Sequence, residues 1–177
     1  EHGIGLTKAE HLAEELDAKI LGLGAYTSIV GDGGVTIARE LAIPVTSGDS
    51  YTAAVAVRAT REAARLMDME LTQATVAVVG ATGAIGGVVA QQLAPTAGRL
   101  LLIGQRHERL EAVGRQVRAV ASGAVQLSTE VDEIREAEVV ITVTSAGGNL
   151  VRPEQLRRGA VVCDVSRRMI ASHYSCA

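Results

Sequence analysis

The stretch Thr75-Val76-Ala77-Val78-Val79-Gly80-Ala81-Thr82-Gly83-Ala84-Ile85-Gly86 decides how this chain folds. Its first five residues form a short apolar run rich in β-branched side chains, the kind that is buried on both faces of a parallel sheet. Glycine then recurs at every third position, and the residues after it read as a helix. In this setting Gly80 permits a tight turn. Gly83 lets backbone N–H groups approach a pyrophosphate, and Gly86 lets the helix pack closely on the strand. The helix N-terminus adds N–H groups without intrahelical partners and the positive end of a dipole. A glycine triplet that follows a strand and opens a helix implies a dinucleotide site built by Gly80, Thr82, Gly83, Ala84 and Ile85. A strand–helix turn shaped by packing alone is the competing reading.

Working downstream, the helix carries the stripe Ile85, Val89 and Leu93. Residues 100–103 form a second apolar run. A second helix follows, with Leu110, Val113, Val117 and Val120 on one face. Residues 125–127 read as a weak third strand. Residues 139–143 and 160–165 are two further β-branched runs, bounded by Gly147-Gly148 and Gly159. Alternating strands and helices predict βαβ units, right-handed crossovers and a doubly wound parallel sheet of the Rossmann type.

The end of the second strand bears on the choice of dinucleotide. A site for NAD usually places Asp or Glu roughly 20 residues beyond the glycines, on the ribose hydroxyls. That position here reads Gly104-Gln105-Arg106-His107-Glu108-Arg109, with no carboxylate at the tip. Arg106, with a planar guanidinium suited to phosphate, points to NADP (NADPH), and Arg109 is a helper. Thr144, Ser145 and Ala146 end the fourth strand and are candidates to line the nicotinamide side, because ligands of such sheets bind outside the carboxyl ends of strands. Asp164 ends the next strand, where it either faces the same crevice or caps the succeeding segment.

Working upstream, Thr7-Lys8-Ala9-Glu10 has the form of a capping box, followed by Leu12 and Leu16 on one helical face. Residues 20–23 and 43–45 read as short strands, with a turn at Gly31-Asp32-Gly33-Gly34 between them. Ser47 or Asp49 caps a long helix reaching about Met69. Val55, Ala59, Ala63 and Leu66 share one of its faces, and Arg58, Arg61, Glu62 and Arg65 another. The expected organisation is a partial substrate domain over residues 1–48, a connecting helix over 49–70 and an NAD(P)-binding domain over 71–177.

Composition narrows the function classes. The 177 residues are 47% hydrophobic and 21% charged, a balance that supports a packed core. Three Tyr are the only aromatic residues, which argues against readers that stack nucleic-acid bases. A net charge of -3 without a long basic run argues against binding to a phosphate backbone. No apolar run approaches the length of a membrane span and no signal peptide is visible. Cys163 and Cys176 have no metal-ligand spacing, no metal site is expected, and a reducing cytoplasm is the default. Opening at Glu1 without Met, the chain is expected to be a fragment or a processed product.

With these segments in view, the chain resembles the long-chain acyl-[acyl-carrier-protein] reductases and related predicted amino-acid dehydrogenases, whose nucleotide domain is shikimate-dehydrogenase-like. The resemblance rests on Leu23-Gly24-Ala25-Tyr26-Thr27-Ser28-Ile29-Val30, on Thr46-Ser47-Gly48-Asp49-Ser50-Tyr51-Thr52-Ala53, and on the strand and glycine turn from Ala74 to Gly86. It continues through residues 100–103, Arg109-Leu110 and residues 156–164. It implies NADPH-dependent reduction of a thioester-bound acyl group to an aldehyde, with acyl carrier protein as a potential partner. In those reductases a cysteine of the last strand takes up the acyl chain. The matching position here is Ala160, and Cys163 stands three residues later, where it would act only if the strand were shifted.

In shikimate-type dehydrogenases the corresponding helix start holds substrate. The resemblance therefore makes Asp49, Ser50 and Tyr51 candidates, with Tyr51 as general acid, and Ser28 a weaker substrate-binding candidate. An N-cap and a packed tyrosine are the structural alternative. The expectation is an NADP-dependent oxidoreductase that reduces a carbonyl or acyl group by hydride transfer. Its rivals are a dehydrogenase of small keto or amino acids and a non-catalytic NADP-binding module. Whether the chain forms a homo-oligomer is left open by its sequence.

Overall fold

The computed structural model describes residues 13, 15–24, 34–144 and 151–166. The chain divides into two compact units, Glu1–Tyr51 and Thr52–Ala177.

Five parallel strands form the sheet of the second unit: β3 (Thr75–Val79), β4 (Arg99–Ile103), β5 (Ala124–Ser128), β6 (Val139–Thr142) and β7 (Val161–Asp164). Their spatial order is β5-β4-β3-β6-β7. The chain therefore builds outward from β3 in one direction, then returns to its other side with β6. That reversal between β3 and β6 opens a crevice at the carboxyl ends of the strands, where this architecture receives ligands.

Each strand alternates its side chains between two apolar layers, as the pleat requires. Val76, Val78, Leu100, Leu102, Val139 and Ile141 face a layer formed by α2 (Asp49–Leu66), α3 (Ala84–Leu93) and α4 (His107–Arg118). Ala77, Val79, Leu101, Ile103 and Val140 face the opposite way. There Ile134 and Ala137, from and beside the 3₁₀ segment Val131–Glu136, close the core with Val151 and Leu156. Among the described residues, the α-helices of this unit thus share one face, and 3₁₀ turns serve the other.

The long helix corrects one expectation. Its buried residues are Ala53, Ala56, Val57, Thr60 and Ala64, whereas Val55 and Leu66 are 48% and 67% exposed. The face with Ala and Thr turns inward; of the stripe Val55, Ala59, Ala63 and Leu66 only Ala63 packs against the core. The helix ends at Leu66, short of Met69, and Asp68 follows in a left-handed conformation with φ 51°. Gly48, with φ 77°, precedes its first residue Asp49. The Oγ of Ser47 accepts the Asp49 N–H at 3.4 Å, and Thr46 Oγ1 accepts the Gly48 N–H at 3.2 Å.

In the first unit, β1 (Leu21–Gly22) and β2 (Val45–Thr46) pair in parallel, Leu21 opposite Val45 and Gly22 opposite Thr46. The short helix α1 (Val35–Glu40) lies between them in the chain. Gly34 precedes α1 with φ 91°, and a Cβ there would meet Leu23 Cδ1 at 2.2 Å. The expected N-terminal helix around Thr7 and Leu12, the loop 25–33 with Ser28, residues Ser145 and Ala146, and the tail 169–177 fall outside the described residues.

Candidate functional site

The strand tips of the second unit surround a cavity of about 500 Å³. Val79 and Gly80 come from the end of β3, Ile103 and Gly104 from β4, Thr129 from just beyond β5, and Val143 and Thr144 from just beyond β6. Backbone bonds carry the sheet past its last paired residues. Gly80 and Ala81 both donate to Ile103 O, at 2.9 and 3.0 Å, and Val143 donates to Val79 O at 2.8 Å. Gly104 donates to Ser128 O at 3.2 Å, so four tips are held side by side, although residues 79 and 144 are far apart in the chain.

Two of the three motif glycines are sterically required. Gly80 adopts φ 90°, a left-handed conformation, and a Cβ there would lie 2.3 Å from Val143 O. A Cβ on Gly86 would lie 2.2 Å from Gly80 O, so no side chain fits between helix and turn. Gly83 has a looser constraint. It is the N-cap of α3 with φ -79° and ψ 163°, it donates to Gly80 O at 3.0 Å, and its Cβ would stand 3.3 Å from that oxygen. A side chain there would press against the turn at Gly80 and approach Val143 O, at 3.8 Å. Ala84 and Ile85 begin α3, where N–H groups have no intrahelical acceptor.

Arg106, Arg109, Gln105, Thr82 and Val131 complete the lining. Arg106 is the N-cap of α4 and Arg109 lies in its first turn, so both guanidinium groups start from one end of that helix. No carboxylate is among the described residues lining the cavity. Glu108 sits exposed in the first turn of α4 and outside the lining, and His107 Nε2 lies 3.7 Å from Glu111 Oε1. Gly104 belongs to the site for a steric reason. A Cβ there would press on Thr82 Cγ2 at 3.0 Å and Leu110 Cδ2 at 3.1 Å.

The structure therefore gathers Gly80, Thr82, Gly83, Arg106 and Thr144 around one cavity. Gly104, Gln105, Thr129, Val131 and Val143 join them without having been singled out. Position at a strand tip was the only signal for these, and it identifies them only once strand ends and strand order are known. Asp49, Ser50 and Tyr51 are the first residues of α2 and belong to the other unit, with Tyr51 77% exposed. Cys163 occupies the interior of β7 opposite Ile141, partly buried and packed against the helix-side core. Asp164 serves the adjacent strand: its Oδ1 accepts from Thr142 Oγ1 at 2.6 Å and from the Ser166 N–H at 2.9 Å.

No group of three or more His, Cys, Asp or Glu among the described residues is arranged to hold a metal ion. No helix among them is long and apolar enough to cross a membrane.

The family model described as Shikimate / quinate 5-dehydrogenase matches residues 61–171, more than half of the chain. Aminotransferase PigE of Serratia sp. is 31% identical over 163 residues, 89% of this chain and 18% of that protein. The long-chain acyl-[acyl-carrier-protein] reductase of Synechococcus elongatus is 30% identical over 162 residues, 86% of this chain and 46% of that protein. The chain thus spans less than half the length of either curated relative. Among solved structures, shikimate 5-dehydrogenase from Listeria monocytogenes in complex with shikimate and NAD superposes with a TM-score of 0.52 at 14% identity, over 83% of this chain and 78% of that one.

Proposed function

The chain belongs to the shikimate / quinate 5-dehydrogenase family of NAD(P)-dependent oxidoreductases, and from that premise we propose that it binds NADPH at the strand-tip cavity and reduces a carbonyl or acyl-thioester carbon. The carrying observation is the pairing of Arg106 and Arg109 on a cavity whose described lining holds no carboxylate. A ribose 2′-phosphate brings negative charge that two guanidinium groups offset, and a carboxylate in its place would favour the free hydroxyls of NAD.

The residues present fit such a ligand. The turn from Gly80 to the N-cap Gly83 carries no side chain at either glycine, and the first N–H groups of α3, from Ala84 and Ile85, offer donors to a pyrophosphate. Thr144 borders the nicotinamide end, with Ser145 and Ala146 following it in the chain. When bound, the nicotinamide supplies a hydride to an electrophilic carbon. The proton for the resulting alkoxide is assigned to Tyr51, with Asp49 orienting, and Ser28 and Ser50 are assigned to substrate binding. For a thioester the products are aldehyde and free thiol; for a ketone, the alcohol.

Two substrate classes remain in play. The relative at 30% identity supports an acyl thioester, delivered on an acyl carrier protein. Cys163 favours the other class. Its place in the interior of β7, packed against the core with Ala160 just before the strand, supports a route without an acyl-cysteine and therefore a small keto or amino acid.

Titration of the full chain with NADPH and NADH, read by nicotinamide fluorescence, tests the reading. NADPH is expected to bind more tightly, and Arg106→Ala to weaken NADPH by about 10- to 100-fold, the range for one charge-assisted hydrogen bond, while leaving NADH unchanged. Equal affinities with no response to Arg106→Ala would remove the NADP assignment. Cofactor binding without turnover of any keto acid or acyl thioester, together with indifference to Tyr51→Phe, would leave a binding module.

A further inference from the structure

Thr144 lines the cavity at the point where β6 gives way to a loop, and its backbone is held from outside the cavity. Ser166 Oγ accepts the Thr144 N–H at 3.3 Å. Ser166 is itself fixed, because its N–H donates to Asp164 Oδ1 at 2.9 Å. The same carboxylate oxygen accepts from the buried Thr142 Oγ1 at 2.6 Å, and the Val165 N–H donates to Thr142 O at 2.9 Å. Bonds through Ser166, Asp164 and Val165 thus cross between the ends of β6 and β7, and the Ser166–Asp164 bond steadies the residue that reaches Thr144. The braced segment also lies against the glycine turn, since a Cβ on Gly80 would meet both Val143 O at 2.3 Å and Thr144 Cβ at 3.3 Å.

We propose that Asp164 and Ser166 are positioning residues that act through Thr144 to hold the nicotinamide end of the cavity in register with the Gly80 turn. This rests on the dinucleotide reading above. Neither residue lines the cavity. Their effect is to limit the freedom of a loop start whose displacement by a fraction of an ångström would move one wall of the site relative to the other, which changes both how tightly and in what orientation the nicotinamide is held. The two acceptors have separate tasks: Asp164 sets the position of Ser166, and Ser166 sets the position of the Thr144 amide.

The test compares the full chain with Ser166→Ala and Ser166→Thr in NADPH titrations. Both the dissociation constant and the nicotinamide emission per bound nucleotide are recorded, with thermal melts alongside. Ser166→Ala is expected to weaken NADPH by about two- to tenfold, the range for one neutral hydrogen bond, and to change the emission of the bound nicotinamide. Its melting temperature should stay near that of the parent. Ser166→Thr, which keeps the hydroxyl, should restore both values. Asp164→Ala, which removes the acceptor that fixes Ser166, should reproduce the changes of Ser166→Ala. Parent-like affinity and emission in Ser166→Ala would overturn the inference while leaving the dinucleotide reading intact. So would a Ser166→Thr that behaves like Ser166→Ala. A parent chain that binds neither NADPH nor NADH would overturn both.

Discussion

A Cβ on Gly86 would stand 2.2 Å from the carbonyl oxygen of Gly80 and 3.1 Å from the Cα of Ala81. The first turn of α3 therefore rests on the backbone of the turn that precedes it, with no side chain between them. This contact holds the helix end beside the strand tips, and it connects a feature of the sequence, glycine at every third position, to the shape of the site.

Gly86→Ala forces backbone against a methyl group, which cannot be relieved by a rotamer change. The expected cost is about 1–3 kcal/mol in urea unfolding, together with weaker NADPH binding. Gly87→Ala is the control. There the Cβ would meet Ala81 O at 3.5 Å, an ordinary contact, and the lower backbone entropy of alanine should stabilise the helix by about 0.5–1 kcal/mol.

Arg106 and Arg109 leave the same end of α4 and border the same cavity. If both pair with one phosphate, their single alanine variants should not be additive. A double-mutant cycle on NADPH affinity should show a coupling of about 0.5–3 kcal/mol, and the same cycle with NADH should show none.

Thr60 is fully buried on α2, and its Oγ1 has no hydrogen-bond partner among the described residues. A buried hydroxyl without a partner loses its bond to water and gains nothing in return. Thr60→Val keeps the β-branched shape and removes that oxygen. The variant should be more stable by about 1 kcal/mol, seen as a rise in melting temperature of about 2–4 °C.

Glu138, just before β6, ties the starts of three strands together, its backbone N–H donating to Thr75 O at 3.0 Å and its backbone O accepting the Val161 N–H at 2.9 Å. Its carboxylate accepts the Thr75 N–H at 2.8 Å and is ion-paired with Arg157. Burial alone would raise the pKa of this carboxyl. The Thr75 N–H, its own backbone N–H and the Arg157 guanidinium outweigh that and hold it below its ordinary value of 4.5. A lowered folded pKa means stability that is present above the unfolded value and lost as pH falls through the folded one. The stability gap between the parent and Glu138→Gln should therefore be widest near neutral pH and shrink below about pH 4.5, measured by urea unfolding across that range.

The strands of the second unit were legible because each is a local signal. Residues 75–79, 100–103, 125–127, 139–143 and 160–165 are β-branched or leucine-rich runs between glycines and polar turns, and β3 through β7 fall within a residue or two of them. Arg106 and Thr144 were found in the same way, as residues just past a strand. Which face of the long helix is buried was not legible in this way. Its stripe of Val55, Ala59, Ala63 and Leu66 satisfies helical periodicity as well as the buried one does. Periodicity finds both faces, and only packing against the core selects between them.

What the sequence by itself determined is the order of strands and long helices from α2 onward, the parallel sheet and the backbone conformation of the glycine turn; the short helix α1 was not among its expectations. These stem from burial patterns over a few residues and from steric freedom that only glycine has. Tertiary structure alone decided the rest. The strand order β5-β4-β3-β6-β7 brought Thr129 and Val131 to the same cavity as Gly80 and Thr144. The β6–β7 register set Asp164 opposite Thr142, within reach of its hydroxyl. Both outcomes depend on which segments become neighbours. That is settled by packing across the whole sheet, so residues remote in the chain carry no local mark of the partners they will meet.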